Sequence, residues 1–189
     1  MPAPYLENIK KQFAYCKKLG DSTFEQIDDH ALFWQFNPES NSIAIIVKHI
    51  WGNLMSRWTD FLTTDGEKDF RNRDSEFEAT IKTRIELLEK WEEGWTTLFE
   101  TMDTLEEDDL SRIVYIRNMG HTVAEAINRQ LAHNAYHIGQ IVYIGRMVAG
   151  ARWKSLSIPK GQSRQYNEIK FAQPKHNQHF TDEFLEDTQ

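Results

Sequence analysis

His133 and His137 lie four residues apart in HTVAEAINRQLAHNAYHIGQIVYIGRMVAG, residues 121–150. Read as a helix, this stretch stacks them on one face with Cβ atoms about 5–6 Å apart, so two imidazoles there can reach one metal ion. A third candidate, His49, sits in NSIAIIVKHIWGNLMSRW. Each of the three falls at the margin of an apolar helical stripe, where side chains from facing helices meet. Three neutral imidazoles leave one position open on a tetrahedral zinc ion, the arrangement of a catalytic rather than a closed structural site. A cation held this way lowers the pKa of bound water to about 7, or deprotonates a bound thiol. Imidazole suits zinc, nickel, iron and copper alike; a divalent ion, zinc or nickel, is the expectation. Metal-bound histidines usually donate their second ring N–H to another group, and Asn53, Gln130 and Gln140 are candidates for that role. A plainer reading stands beside this one. With seven histidines in the chain, one pair at spacing four arises by chance, and all three could be polar core residues joined by hydrogen bonds.

Other chemistries have less to stand on. The single cysteine, Cys16, falls on the Ile9/Phe13 face of an expected helix and reads as a small buried apolar residue. There is no C-x-x-C, no glycine-rich phosphate loop and no G-x-S-x-G elbow. A di-iron bundle needs Glu-x-x-His on two helices, and Glu125 and His133 have the wrong spacing. His176 and His179 have metal-like spacing but lie in a polar, acidic segment and read as incidental.

The elements that would position the histidines are helical. Residues 4–20 predict a helix with Tyr5, Leu6, Ile9, Phe13 and Leu19 apolar, ending at Gly20. A short helical segment is expected over 23–32. Residues 43–63 predict a second long helix, striped by Ile43, Val47, Ile50, Trp51, Leu54, Trp58 and Phe61, with Ser40, Asn41 and Ser42 offering cap oxygens. Residues 64–80 are polar and aperiodic and read as a connection. Residues 81–102 predict a third helix, with Ile81, Ile85, Leu88, Trp91, Trp95, Leu98 and Phe99 inward and its glutamates on an outer face. Residues 110–119 alternate as a strand, with Ile113, Tyr115 and Arg117 on one side; its partner is the region 70–73 or another chain. Gly120 turns the chain, and Thr122 with Glu125 has capping-box spacing for the fourth helix, striped by Val123, Ile127, Leu131, Ile138, Ile141, Gly145 and Val148 and stopped by Gly150. The expected fold class is all-α, a four-helix bundle with a short β element and an irregular C-terminal extension. It forms one domain over 1–170, with a polar tail over 171–189.

At 189 residues, 40% hydrophobic and 27% charged, the chain can bury a core without disulfides or metal. A net charge of −7 argues against nucleic acid or an anionic membrane surface as partner. No apolar run approaches the roughly 20 residues of a membrane helix, and the N-terminus has no secretion signal. A cytoplasmic setting is expected.

Two segments carry a family resemblance. WQFNPESNSIAIIVKHIWGNLMSRW has a Trp, a Pro, a Ser-Ile helix start and a His seven residues after that Ser; AHNAYHIGQIVYIGRM has H-x-x-x-H-x-G-Q. Together they resemble the DinB/YfiT-like superfamily of metal-dependent enzymes, and WKSLSIPKGQSRQYN is similar to a bacterial DinB-like subgroup without assigned activity. The resemblance spans about residues 34–167. It implies metal ligands at His49, His133 and His137, a four-helix bundle and often a homodimer. It also implies a small-molecule substrate, since relatives include transferases and isomerases that use bacillithiol or mycothiol. The leading expectation is therefore a metal-dependent thiol S-transferase, of bacillithiol type, in which the metal activates a low-molecular-weight thiol as thiolate. A metal-water hydrolase is the nearest enzymatic alternative, and a non-catalytic metal- or ligand-binding stress protein the alternative from another class. Arg57, Arg129 and Arg146 could bind a thiol cofactor's carboxylates, but they read first as solvated helix charges.

Overall fold

The structure is a computed structural model describing residues 4–185. Four long helices carry it: α1 (Tyr5–Phe24), α3 (Ile43–Trp58), α4 (Arg84–Asp103) and α5 (Val123–Ala149), with a four-residue α2 (Asp29–Leu32) between the first two. They pack around one core, in which Phe13 meets Trp58 and Trp95 edge-on and Trp91 stands edge-on to Phe24 and Trp95. The all-α class with a short β element is what the chain adopts. Among the described residues no helix is long and apolar enough to cross a membrane.

Local chemistry sets the helix starts. Ser42 Oγ accepts from Ile45 N and opens α3, and Thr83 does the same for α4 through Glu86 N. At α5 the capping box closes in both directions: Thr122 Oγ1 accepts from Glu125 N, and Glu125 Oε2 accepts from Thr122 N. Gly150, at φ 56°, stops α5. Gly20 does not stop α1, which runs one turn further. A Cβ on Gly20 would lie 2.5 Å from the Trp91 ring, so its glycine serves close approach of α1 and α4. α3 ends at Trp58, shorter than its periodicity suggests, and Ile85 is exposed rather than inward because Leu87 takes the core face of α4.

The β element is a two-stranded antiparallel hairpin, β1 (Ile113–Ile116) with β2 (Met119–Thr122). The expected strand thus pairs with Met119–Thr122, just beyond a two-residue turn, and not with the region 70–73. Arg117 and Asn118, with φ of 55° and 60°, make a two-residue turn of the type that suits strand twist. Neither is glycine, and help comes from afar: Asp65 Oδ1 accepts from Arg117 N and Oδ2 from Asn118 N, both at 2.8 Å. Val114 and Ile116 face the core while Ile113 and Tyr115 face out.

The C-terminal segment is less irregular than expected. α6 (Ser163–Phe171) and α7 (Asp182–Leu185) form there, and residues 180–184 fold back on α1, where Tyr15 contacts the Phe180 and Phe184 rings and Lys11 pairs with Asp182 at 2.9 Å. The sequence conceals this because two phenylalanines in a polar stretch show no stripe; only the waiting face of α1 makes them useful.

Candidate metal centre

α3 and α5 run antiparallel at their contact, as the bond from Gln130 Nε2 to Asn53 Oδ1 (3.0 Å) and the meeting of His49 with His133 and His137 together require. The three rings stand edge-on to one another with centroids 4.6–5.2 Å apart. One nitrogen from each can be chosen so that all lie within 4.8 Å, and among the described residues this is the His/Cys/Asp/Glu group that could hold a metal ion. His49 is buried, and His133 and His137 partly so. His49 Nε2 and His133 Nε2 are 3.1 Å apart. Two nitrogens on one tetrahedral zinc at about 2.0–2.1 Å stand roughly 3.3–3.4 Å apart, so the donor set fits a cation, and the same spacing also fits one shared proton.

The support behind His49 decides its tautomer. Glu76 Oε2 lies 2.8 Å from His49 Nδ1, and Arg71 donates to both Glu76 oxygens, Nε to Oε1 at 2.8 Å and Nη2 to Oε2 at 3.1 Å. All three side chains are about 5% exposed or less. Burial pushes the Glu76 carboxyl up, but the His49 and Arg71 bonds outweigh it and hold the group below the usual carboxylate range. An ionised Glu76 only accepts, so His49 donates Nδ1–H to it and presents Nε2 to His133. Phe77 stacks on the His49 ring at 4.9 Å.

Burial favours the neutral form of His133 and His137. Burial, reinforced by His137, His49, Arg57 and Arg71, pulls His133 down to about 3. Burial also lowers His137, against the opposing bond to Gln140 and with help from His49. Neutral imidazole is the form that binds metal.

Of the polar residues singled out from the sequence, Gln140 reaches the site, its Oε1 3.1 Å from His137 Nδ1. Asn53 and Gln130 do not. Gln130 Nε2 donates to Asn53 Oδ1 and to Asn134 Oδ1 (2.7 Å), a buried amide cluster one turn below the histidines. Cys16 is buried, and burial pushes its thiol up to about 11, which favours the protonated thiol near neutral pH. His176 and His179 make only local bonds in the C-terminal segment. The glutamates of α4 stay outside: Glu92 pairs with Lys17, and Glu93 accepts from Trp51 Nε1.

Sequence reasoning missed Glu76 and Arg71, which lie in the aperiodic connection among several other charged residues. One signal was present. Gly52 is a buried glycine in the interior of α3, a choice that costs about 1 kcal/mol relative to alanine unless something must come close. That something is Glu76. Gln140 also lines a recess of about 400 Å³ with Trp34, Phe36, Ile46, Tyr143 and Met147.

A family model described as "Protein of unknown function (DUF1572)" matches residues 1–162. No curated protein matches the chain.

Proposed function

This chain belongs to the family described as proteins of unknown function (DUF1572), and on that premise we propose a DinB-like metal-dependent protein whose His49, His133 and His137 hold a divalent cation, zinc or nickel, and which transfers a small thiol onto a small electrophile. The observation that carries the reading is the convergence of three imidazoles across two helices, with His49 oriented by an ionised, buried carboxylate. A bound cation would supply Lewis acidity, favouring the thiolate over the thiol near neutral pH. The chain's own residues do the rest. Arg71 keeps Glu76 charged, Glu76 keeps the Nδ1 proton on His49, and Gln140 orients His137. Phe77 and Tyr136 pack against the rings of His49 and His137 and limit water on those sides. The apolar recess beside Gln140 suits the hydrophobic part of an electrophile.

The test begins with metal analysis of untagged protein. We expect about one equivalent, lost in His137→Ala; metal far below one equivalent and unchanged by that substitution would overturn the site. Metal-loaded protein is then assayed with low-molecular-weight thiols and chlorodinitrobenzene. Metal-dependent thiol consumption is expected. Its absence, with metal present, would shift the reading to a metal-water hydrolase or a non-catalytic binding protein.

A further inference from the structure

Arg57 stands on α3 two turns beyond His49, and Arg129 on α5 one turn before His133. Because the two helices run antiparallel through the Gln130–Asn53 bond, both guanidinium groups adjoin the same end of the histidine cluster. Arg57 is half-buried, and its Nε is shielded from solvent with no hydrogen-bond partner among the described residues. This is not the solvated helix charge that the sequence suggests. A shielded donor without a partner is costly, more so when it carries charge.

The neighbouring carboxylates are already committed. Glu67 takes Arg71 at 3.0 Å and Arg117 at 3.2 Å, and Glu76 takes Arg71 and His49. Burial is the largest cause that brings the Arg57 guanidinium down to about 10, and Arg129, Arg71 and Arg117 act the same way against Glu67. Such a concentration of positive charge is notable in a chain of net charge −7, where it cannot reflect general basicity.

We propose that Arg57, together with Arg129, is a binding site for an oxyanion, a carboxylate or phosphate group, that holds a small anionic molecule against the three-histidine cluster. A guanidinium fork meets either group with two parallel N–H···O bonds. Nε stays shielded; the anion would meet the two terminal nitrogens of the half-buried Arg57 fork, which make no hydrogen bond among the described residues, and would offset the crowding of like charges. This deepens the functional reading by naming the substrate's chemistry, yet the subsite stands without metal and is tested without it.

Metal-free full-length protein is titrated calorimetrically with inorganic phosphate and, separately, with succinate, at ionic strength held constant with chloride. Saturable binding of at least one anion is expected, weakened about tenfold or more in Arg57→Gln, partly restored in Arg57→Lys and unchanged in Arg146→Gln, whose residue is exposed and lies on α5 beyond Gln140. Phosphate alone binding assigns a phosphate-bearing ligand; succinate alone assigns a carboxylate. Binding no stronger than chloride, or equal in Arg57→Gln, overturns the proposal. If circular dichroism shows Arg57→Gln unfolded, Arg129→Gln must produce the loss, and its failure to do so overturns the proposal equally. Absence of metal from the purified protein would remove the metal reading and leave this result untouched.

Discussion

Gly52 and Glu76 occupy adjoining space so closely that a Cβ on the glycine would lie 2.4 Å from Glu76 Oε1 and 2.9 Å from its Cδ. The glycine is what lets a carboxylate from the connection reach the His49 ring one turn earlier on the helix. Gly52→Ala should therefore displace Glu76, costing about 1–3 kcal/mol of stability as an overpacked site and weakening metal affinity. Gly139→Ala is the control: no atom lies within 4 Å of its added methyl, so it should stabilise by up to about 1 kcal/mol through helix propensity. Denaturant unfolding with chelator competition reads both; a neutral Gly52→Ala would show that Glu76 is not held there.

Glu76→Gln keeps the shape of the side chain and removes its charge. With His49 Nδ1 losing a charged acceptor and Arg71 losing its buried counterion, metal affinity should fall about 10–100-fold, the usual effect of an outer-shell partner. Competition with a chromophoric chelator measures it. Unchanged affinity would reduce the His49–Glu76–Arg71 chain to structural pairing.

The metal-free protein should lose stability in mild acid. Folding pulls His133 down to about 3 and lowers His137, so below the ordinary histidine pKa of about 6.5 the unfolded chain binds more protons than the folded one. The contribution is complete above that value and is lost as pH falls toward the folded pKa values, at a slope on the order of 1 kcal/mol per pH unit for each group. Urea midpoints in chelator should fall between pH 6.5 and pH 5, and less steeply in His133→Gln. Equal slopes would contradict the burial of a neutral His133.

Gly20→Ala tests the packing of α1 on α4. Its methyl would sit 2.5 Å from Trp91 Cζ2 and 2.6 Å from Cη2, and the Trp91 indole is pinned, donating to Asp21 Oδ1 at 2.6 Å and buried among aromatic rings. A loss of about 1–3 kcal/mol is expected by denaturant titration. A gain, as from an ordinary exposed helical glycine, would mean the indole moves freely.

What the chain states locally was legible without coordinates. Periodicities of three and four give the four long helices, because burying an apolar stripe depends only on which residues share a face. The Thr122–Glu125 box and the Gly150 stop are contacts between near neighbours, and the i, i+4 placement of His133 and His137 follows from helix geometry alone. Even His49 could be singled out, from its place beside a stripe. Tertiary structure decided which distant groups meet. Glu76 became the partner of His49 because Gly52 leaves room for a loop 24 residues on, and nothing in that polar loop sets Glu76 apart. Arg57 proved half-buried instead of solvated, and it has no ion pair among the described residues because the carboxylates near it are taken by other arginines. The turn at Arg117 and Asn118 is held by Asp65, and residues 180–184 found Tyr15 across the fold. In each case long-range charge and close approach chose the partner, and a single chain read in order carries neither.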